Sequence, residues 1–352
     1  MPVCDLEQLV QLYLTECELQ LYSPRTLEVR HGFIRNFLWF LQHRGYSHCS
    51  ESEIRQFLHY LLHGHEEAGG RFGRKNLTQA VRPITVKDYD VCLRAFFDWS
   101  VKRGALTETL FKHIDKPRVR AETKQPLSQR RVLGLLQAAQ SSTQPERDTA
   151  ILSFLLDTGC RASELISITL EQLDLESRCC RVLGKGNKHR TLYFGEETAK
   201  ALRHYLKATK RLNTKRLNRI SNKPFNSPPS DSPRGASTPG TSPLFLSSRT
   251  GFTAQLGRPL TRSGLLQLTE RLQQRCGFKD SCSPHAFRRS FAVQTLRNGA
   301  HVFSVQAMLG HSDLQMTQRY CAIALADVEA QHRQFGPLDR LTSRNEMHLR
   351  TQ

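Results

Sequence analysis

The chain has 352 residues, 38% of them hydrophobic and 24% charged, which is enough for two or three domains with a sizeable buried core. Its apolar runs are short: the most core-like, Ala150 to Leu156, is far too short to span a bilayer, and Met1-Pro2-Val3-Cys4-Asp5 lacks the basic-then-apolar pattern of a signal peptide. A formal net charge of +19 points to a polyanion as partner, usually nucleic acid.

The first third reads as a helical bundle. Leu6, Leu9, Leu12 and Tyr13 repeat at helical spacing. Ser23-Pro24 is an N-cap followed by a first-turn proline, and the helix it opens carries Leu27, Ile34, Phe37, Leu38 and Leu41 before stopping near Gly45. Ser50 and Glu53 form a capping box for a third helix with Ile54, Phe57, Leu58, Leu61 and Leu62 on its apolar side. A fourth helix is predicted from about Thr85 to Gly104, with Val86, Tyr89, Leu93, Phe96 and Phe97 inward.

Residues 1–115 hold 14 basic and 14 acidic side chains, so the entire charge excess lies after residue 115. One basic stretch nevertheless precedes the fourth helix: Arg71, Arg74, Lys75, Arg82 and Lys87, with no acid between Glu67 and Asp88. A solvated face and a phosphate-contacting edge are equally good readings of it. His59, His63 and His65 lack a cysteine or carboxylate at ligand spacing and read as a polar helix end, so no metal is expected. The ten cysteines contain no Cys-x-x-Cys pair and read as reduced, mostly core-filling thiols.

From 112 to 127 the sequence turns polar and basic around Pro117 and Pro126, an interdomain linker between a first domain at 1–111 and a second at 128–340. Ser128 caps a new helix, and another, around Arg147 to Asp157, stops at Gly159. Residues 178–194 read as a β-hairpin around a turn of Gly184, Gly186 and Asn187. From Thr198 to Ser230 there is no acid, while nine Lys and Arg accumulate, and residues 221–243 become rich in Ser, Pro, Asn and Gly. A basic helix that frays into a surface insertion at about 210–243 is predicted. Order resumes at Leu244-Phe245-Leu246, with helices near 261–275, 284–298, 301–309, 313–323 and 325–334 and a polar tail at 341–352.

Five short motifs of the second domain carry chemistry. Thr158-Gly159-Cys160-Arg161-Ala162-Ser163-Glu164-Leu165 puts Arg161 between a helix stop and a helix start, with Glu164 one turn on as its potential partner. Lys185 sits at the tip of the hairpin, where it can reach a leaving group; a solvated turn is the plainer reading, and the spacing is not that of a nucleotide-binding phosphate loop. His285 and Arg288 lie three apart on one helix and share a face. Leu309-Gly310-His311 and Tyr320 follow. Each residue alone has a structural alternative: a capping glutamate, a locally bonded histidine, a tyrosine packed on an amphipathic helix. As a set they suit attack on a phosphodiester. Tyrosine, with an ordinary pKa of about 10, is a poor nucleophile at neutral pH, and arginine forks favour both tyrosinate and the more negative transition state.

With Thr158-Gly-Cys-Arg-Ala-Ser-Glu-Leu165, Gly184-Lys-Gly-Asn-Lys-His-Arg190, Pro284-His-Ala-Phe-Arg-Arg-Ser-Phe-Ala292, Leu309-Gly-His-Ser-Asp-Leu314 and Thr317-Gln-Arg-Tyr320 in this order, the chain resembles the tyrosine recombinase (phage integrase) family, and its Xer-like members most closely. The resemblance runs from about 128 to 335 and more loosely over the N-terminal helices; the insertion at about 210–243 departs from it. It implies a mainly α fold with a small antiparallel β-sheet in the catalytic domain (α+β), behind a helical, SAM-like core-binding domain that clamps DNA. It implies Arg161, Lys185, His285, Arg288, His311 and the nucleophile Tyr320 as catalytic residues, with Glu164 in support. Arg71, Arg74, Lys75, Arg82, Lys87, Lys188 and Arg190 are the expected DNA contacts.

The implied reaction is site-specific recombination of double-stranded DNA through a 3′-phosphotyrosyl link, with no cofactor, metal or ATP. The implied assembly is a homotetramer, or a heterotetramer with a related recombinase, in the cytoplasm and on the nucleoid, with no membrane partner, and the final helix docks on a neighbouring subunit. The alternatives are a non-catalytic DNA-binding protein on the same scaffold and a topoisomerase with the same covalent chemistry. An RNA-binding module ranks last, because the basic segment 200–223 offers only Tyr205 as an aromatic.

Overall fold

In a computed structural model of the protein, which describes residues 1–67, 69–119, 124–184, 189–209, 242–247, 258–310 and 314–324, the chain divides into two units, Met1–Glu122 and Thr123–Gln352. Among the described residues no helix is long and apolar enough to cross a membrane.

The first unit is built on α1 (Val3–Leu19), α2 (Pro24–His43), α3 (Glu51–His63) and α4 (Pro83–Lys102). Its caps are those legible in the sequence. The Ser23 hydroxyl accepts from the Thr26 amide, and the Ser50 amide donates to the Glu53 carboxylate at 2.7 Å. Leu6, Ile34, Leu41, Ile54, Phe57, Leu61, Leu93, Phe96 and Phe97 are fully buried between the helices. Leu12 and Leu62 are not; they are 48% and 38% exposed, because the neighbouring Tyr13 and Leu61 take the inward position of their turns. α4 starts two residues before Thr85, since Pro83 occupies the first turn, where its missing N–H costs nothing.

The polar stretch after α4 is tied down at its start. Phe111 and Ile114 are buried in the first core, and Arg94, paired with the buried Asp90 at 2.9 Å, donates to the Phe111 and Ile114 carbonyls at 3.3 and 2.6 Å. Leu127, at the other end, is buried in the second core, and its amide donates to the Ser290 hydroxyl at 2.7 Å.

The loop before α4 is also fixed. Phe72 is buried in the left-handed region (φ 59°), its amide donating to the Tyr60 hydroxyl at 2.8 Å, its ring edge-on to Trp39 and Tyr60. Arg71 is 9% exposed and donates to the Gln79 carbonyl at 2.6 Å. His59 and His63 stack with ring centroids 4.4 Å apart, and Glu66 lies 3.8 Å from His63 and 3.9 Å from His65. Among the described residues no three His, Cys, Asp or Glu side chains gather as a metal site.

The second unit centres on α6 (Pro145–Thr158), where Ala150, Ile151, Leu152, Phe154 and Leu155 are all fully buried. Most of its surface is covered by other helices: α6 packs against α5 (Gln129–Gln140), α8 (Glu196–Ala208) and α10 (Pro284–Arg297), with Thr149, Ser153 and Asp157 along its half-buried side. Between α6 and α8 come the short α7 (Ala162–Ser167) and a three-stranded antiparallel sheet of β1 (Leu173–Asp174), β2 (Cys179–Leu183) and β3 (His189–Tyr193). The hairpin register pairs Cys179 with Tyr193 and Leu183 with His189. β1, two residues long, is too short to show any alternation in sequence.

Past α8 the chain is back in the fold by Ser242, earlier than its composition predicts. The Leu170 amide donates to the Ser242 carbonyl at 2.8 Å, Leu244 donates to Ile168 at 2.7 Å, and the Leu246 amide donates to the Tyr205 hydroxyl of α8 at 3.0 Å. α9 (Arg262–Arg275), α10, α11 (Val302–Leu309) and α12 (Leu314–Ala324) complete the described part. Residues 210–241, the expected helix at 325–334 and the tail at 341–352 lie outside it. Every described cysteine is a free thiol, and most are buried. Burial pushes the Cys49, Cys92 and Cys160 thiols up to about 12 and so keeps them protonated.

Candidate active site

α6 ends because Gly159 enters the left-handed region (φ 57°). A side chain there would force its neighbours to move: a Cβ on Gly159 would stand 2.4 Å from Phe291 Cδ1 and 3.2 Å from Leu309 Cδ2. The turn delivers Arg161 to the N-cap of α7, and Glu164 binds it twice. The Arg161 amide donates to Glu164 Oε2 at 2.6 Å and its Nη1 to Oε1 at 2.8 Å. The expected pairing is present, and Glu164 is not a surface cap, since its side chain is 2% exposed. Burial pushes the Glu164 carboxyl up, but hydrogen bonds and charge from Arg190, then from Arg161, outweigh it and hold the group below the ordinary carboxylate range.

The C-terminal turn of α11 draws three arginines together. A helix end leaves its last carbonyls without intrahelical donors. Here Met308 O accepts from Arg190, Leu309 O from Arg288 Nη2 at 2.6 Å, and Gly310 O from Arg161 Nη2 at 3.2 Å. Arg288 also donates through Nη1 to Gly159 O at 2.8 Å, so one guanidinium ties the end of α6 to the end of α11. Three guanidiniums face one carboxylate, Glu164, which leaves positive charge over for an anion. Burial, then Arg161 and Arg190, pull the Arg288 guanidinium down to about 10, so it stays charged at neutral pH. Two of its five N–H groups are taken up by carbonyls; Arg161, with its side chain 25% exposed, is the more open of the pair.

His285 lies one turn before Arg288 on α10 and is open to solvent. Its pKa is lowered from the ordinary 6.5, by burial of part of the ring and then by the charges of Arg262, Arg288, Arg289 and Arg161. Tyr320, on α12, is partly buried against Ala292, Leu296, Val305 and Leu309. It is close enough to Arg288 and Arg289 to favour the charged form of both. Packing and proximity to the cations hold together, so the two sequence readings of Tyr320 do not exclude each other.

Arg161, Glu164, His285, Arg288 and Tyr320 are therefore gathered in one place. Lys185, Lys188 and His311 lie outside the described residues. Of the expected DNA contacts, Arg74, Lys75, Arg82 and Lys87 are exposed in the first unit, while Arg71 is buried and bound to its own loop. Arg190 is turned inward as well, bound to Glu164 at 2.8 Å with its side chain 11% exposed. Sequence reasoning missed Arg262 and Arg289. Arg289 directly follows Arg288 and could have been found by that adjacency; Arg262, brought in on α9, had no local signal.

Residues 125–326 match the phage integrase family. A tyrosine recombinase XerC of Lactobacillus delbrueckii subsp. bulgaricus is 34% identical over 191 residues, covering 54% of this chain and 55% of that one, so the chain spans about half the length of that relative. A tyrosine recombinase XerD of Shewanella oneidensis is 27% identical over 318 residues, 90% of this chain and 91% of that one. Among solved structures, the XerH site-specific recombinase bound to palindromic difH substrate, a post-cleavage complex, aligns with a TM-score of 0.62 at 18% identity, covering 88% of this chain and 79% of that one. The Tn1549 transposon integrase in complex with transposon right end DNA aligns with a TM-score of 0.61 at 18% identity, covering 91% and 94%. At these identities the structural likeness shows a shared fold.

Proposed function

The chain belongs to the phage integrase family, and from that premise we propose that it is a site-specific DNA recombinase that cuts and rejoins duplex DNA through Tyr320. The observation that carries this reading is the cluster itself: Arg161 and Arg288 bound to adjacent carbonyls of one turn, with His285 and Tyr320 within reach of their charge.

In the reaction, Tyr320 Oη attacks a backbone phosphorus. The Oη–P bond forms, the bond from phosphorus to the 5′-oxygen breaks, and a 3′-phosphotyrosyl strand and a 5′-hydroxyl result. Arg161 and Arg288 hold the non-bridging oxygens and offset the charge that grows on them in the transition state. His285, kept neutral by partial burial and then by the surrounding cations, accepts the phenol proton, and Lys185 delivers a proton to the leaving 5′-oxygen. His311 donates to a non-bridging oxygen. A 5′-hydroxyl attacking the phosphotyrosine reverses every bond change, so rejoining draws on no ATP. Double-stranded DNA is gripped further by the exposed Arg74, Lys75, Arg82 and Lys87, and four copies act on two DNA sites.

The test is a nicked duplex whose cleaved end diffuses away, incubated with the protein in EDTA. A covalent protein–DNA band is expected. No band with the native chain, or an undiminished band with Tyr320→Phe, would sink this mechanism.

A further inference from the structure

Arg190 departs furthest from its sequence reading. It lies on β3, five residues beyond Lys185, in a stretch that reads as DNA-facing. The structure gives its guanidinium other partners. Nη2 and Nε reach Glu164 Oε2 and Oε1 at 2.8 and 3.3 Å, and Nη1 donates to Met308 O. Its stem crosses Gly310, where a Cβ would come within 2.8 Å of Arg190 Cδ. One side chain thus joins three separate pieces of chain: the hairpin, the carboxylate at the start of α7 and the last turn of α11.

The sharing of Glu164 gives this join a chemical consequence. Each of its oxygens takes one hydrogen bond from Arg161 and one from Arg190. With Arg190 removed, the full charge of a buried carboxylate falls on Arg161 and draws that guanidinium away from an incoming phosphate. The Met308 carbonyl, in the last turn of α11, is left without that donor too.

We propose that Arg190 is a positioning residue and not a DNA contact: it shares the charge of Glu164 so that Arg161 keeps an open face for phosphate, and it holds the last turn of α11, whose carbonyls also bind Arg161 and Arg288. This rests on the catalytic reading above.

The test uses the full chain with DNA binding and single-turnover cleavage measured separately. Arg190→Gln lowers the cleavage rate about 100-fold, as expected when a charged ligand shifts by about 1 Å, while DNA affinity and its salt dependence stay native. Adding Glu164→Gln removes the stranded charge and recovers about 10-fold of the loss, a non-additivity that general loosening of the fold would not give. Arg190→Lys, which keeps the charge with less disturbance to folding, falls between the two. Hydrogen exchange at the 308–310 amides rises in Arg190→Gln.

Native cleavage by Arg190→Gln would overturn the proposal. So would weaker DNA binding with a shallower salt slope, or a Glu164→Gln loss that simply adds to the first. If Tyr320→Phe still forms the covalent band, the catalytic reading falls, and the binding and exchange measurements still decide for or against Arg190.

Discussion

Replacing Gly159 by alanine separates the two reasons a glycine is needed there. At φ 57° a side chain incurs the left-handed penalty, about 1–2 kcal/mol. The new Cβ would also stand 2.4 Å from Phe291 Cδ1 and 2.9 Å from its Cγ, well inside van der Waals distance, and such overpacking costs a further ~1–3 kcal/mol. Gly277 supplies the control, since it has φ 66° and nothing within 4 Å of its would-be Cβ. Gly277→Ala should therefore lose only the conformational part, and Gly159→Ala about 2–5 kcal/mol in all, equivalent to a fall in Tm of roughly 5–15 °C for a unit of this size. Urea unfolding of the two variants measures the difference. Trimming the obstacle, as Gly159→Ala with Phe291→Leu, should return part of the loss. The same substitution displaces a carbonyl that orients Arg288, so cleavage should fall even where the protein stays folded. Equal losses for Gly159→Ala and Gly277→Ala would refute the packing argument.

Three further outcomes follow from the structure. Partial burial, and then the cations around it, lower the His285 pKa, so it stays a neutral acceptor to below the ordinary 6.5, and cleavage should fall in acid only below that point. Arg262→Gln removes one of those charges and should move the acid limb to higher pH; a limb that stays put or moves lower would contradict the role of Arg262. Arg94→Met strands the buried Asp90 and frees the Phe111 and Ile114 carbonyls, and chemical denaturation should show a loss of about 3–5 kcal/mol from the first unit. Neutralising exposed Arg74 and Lys75 should lower the salt slope of DNA binding by about 0.9 for each phosphate that they neutralise. Arg71→Gln should instead lower stability, because that side chain is already bound to the Gln79 carbonyl. Titration of binding against salt tells the two classes apart.

Much of the site was legible because its residues sit beside local punctuation. Gly159 stops a helix just before Arg161, Pro284 opens one just before His285, and Gly310 stops one just before His311, so spacing alone placed each group at an element end. The helices of the first unit were legible through their caps and apolar spacing. What stayed hidden depends on the third dimension. Arg71 and Arg190 are basic residues in basic stretches, and sequence has no signal for a guanidinium that turns back onto a carbonyl or a buried carboxylate. Arg262 reaches His285 only after α9 packs, and the two-residue β1 becomes a strand only by pairing with β2. The linker expected at 112–127 gave up both its ends to the neighbouring cores for the same reason: Ile114 and Leu127 are isolated apolar residues whose burial needs a partner surface.

The tethering at Ile168–Leu170 and Tyr205 bears on how this protein can vary. Ser242 and Leu244 are fastened by backbone bonds to the segment beside the sheet, and the Leu246 amide by the Tyr205 hydroxyl to α8, the last described helix before residue 210. The two ends of the stretch between 209 and 242 are thereby held by the surrounding fold. Once the two ends of a connection are held in place, doubling its length adds only about 0.6 kcal/mol of closure cost. The protein is thus nearly indifferent to how many residues lie between 209 and 242, and relatives could gain, lose or exchange that stretch, even for a whole foreign domain, while the arginines around the α11 turn stay where they are.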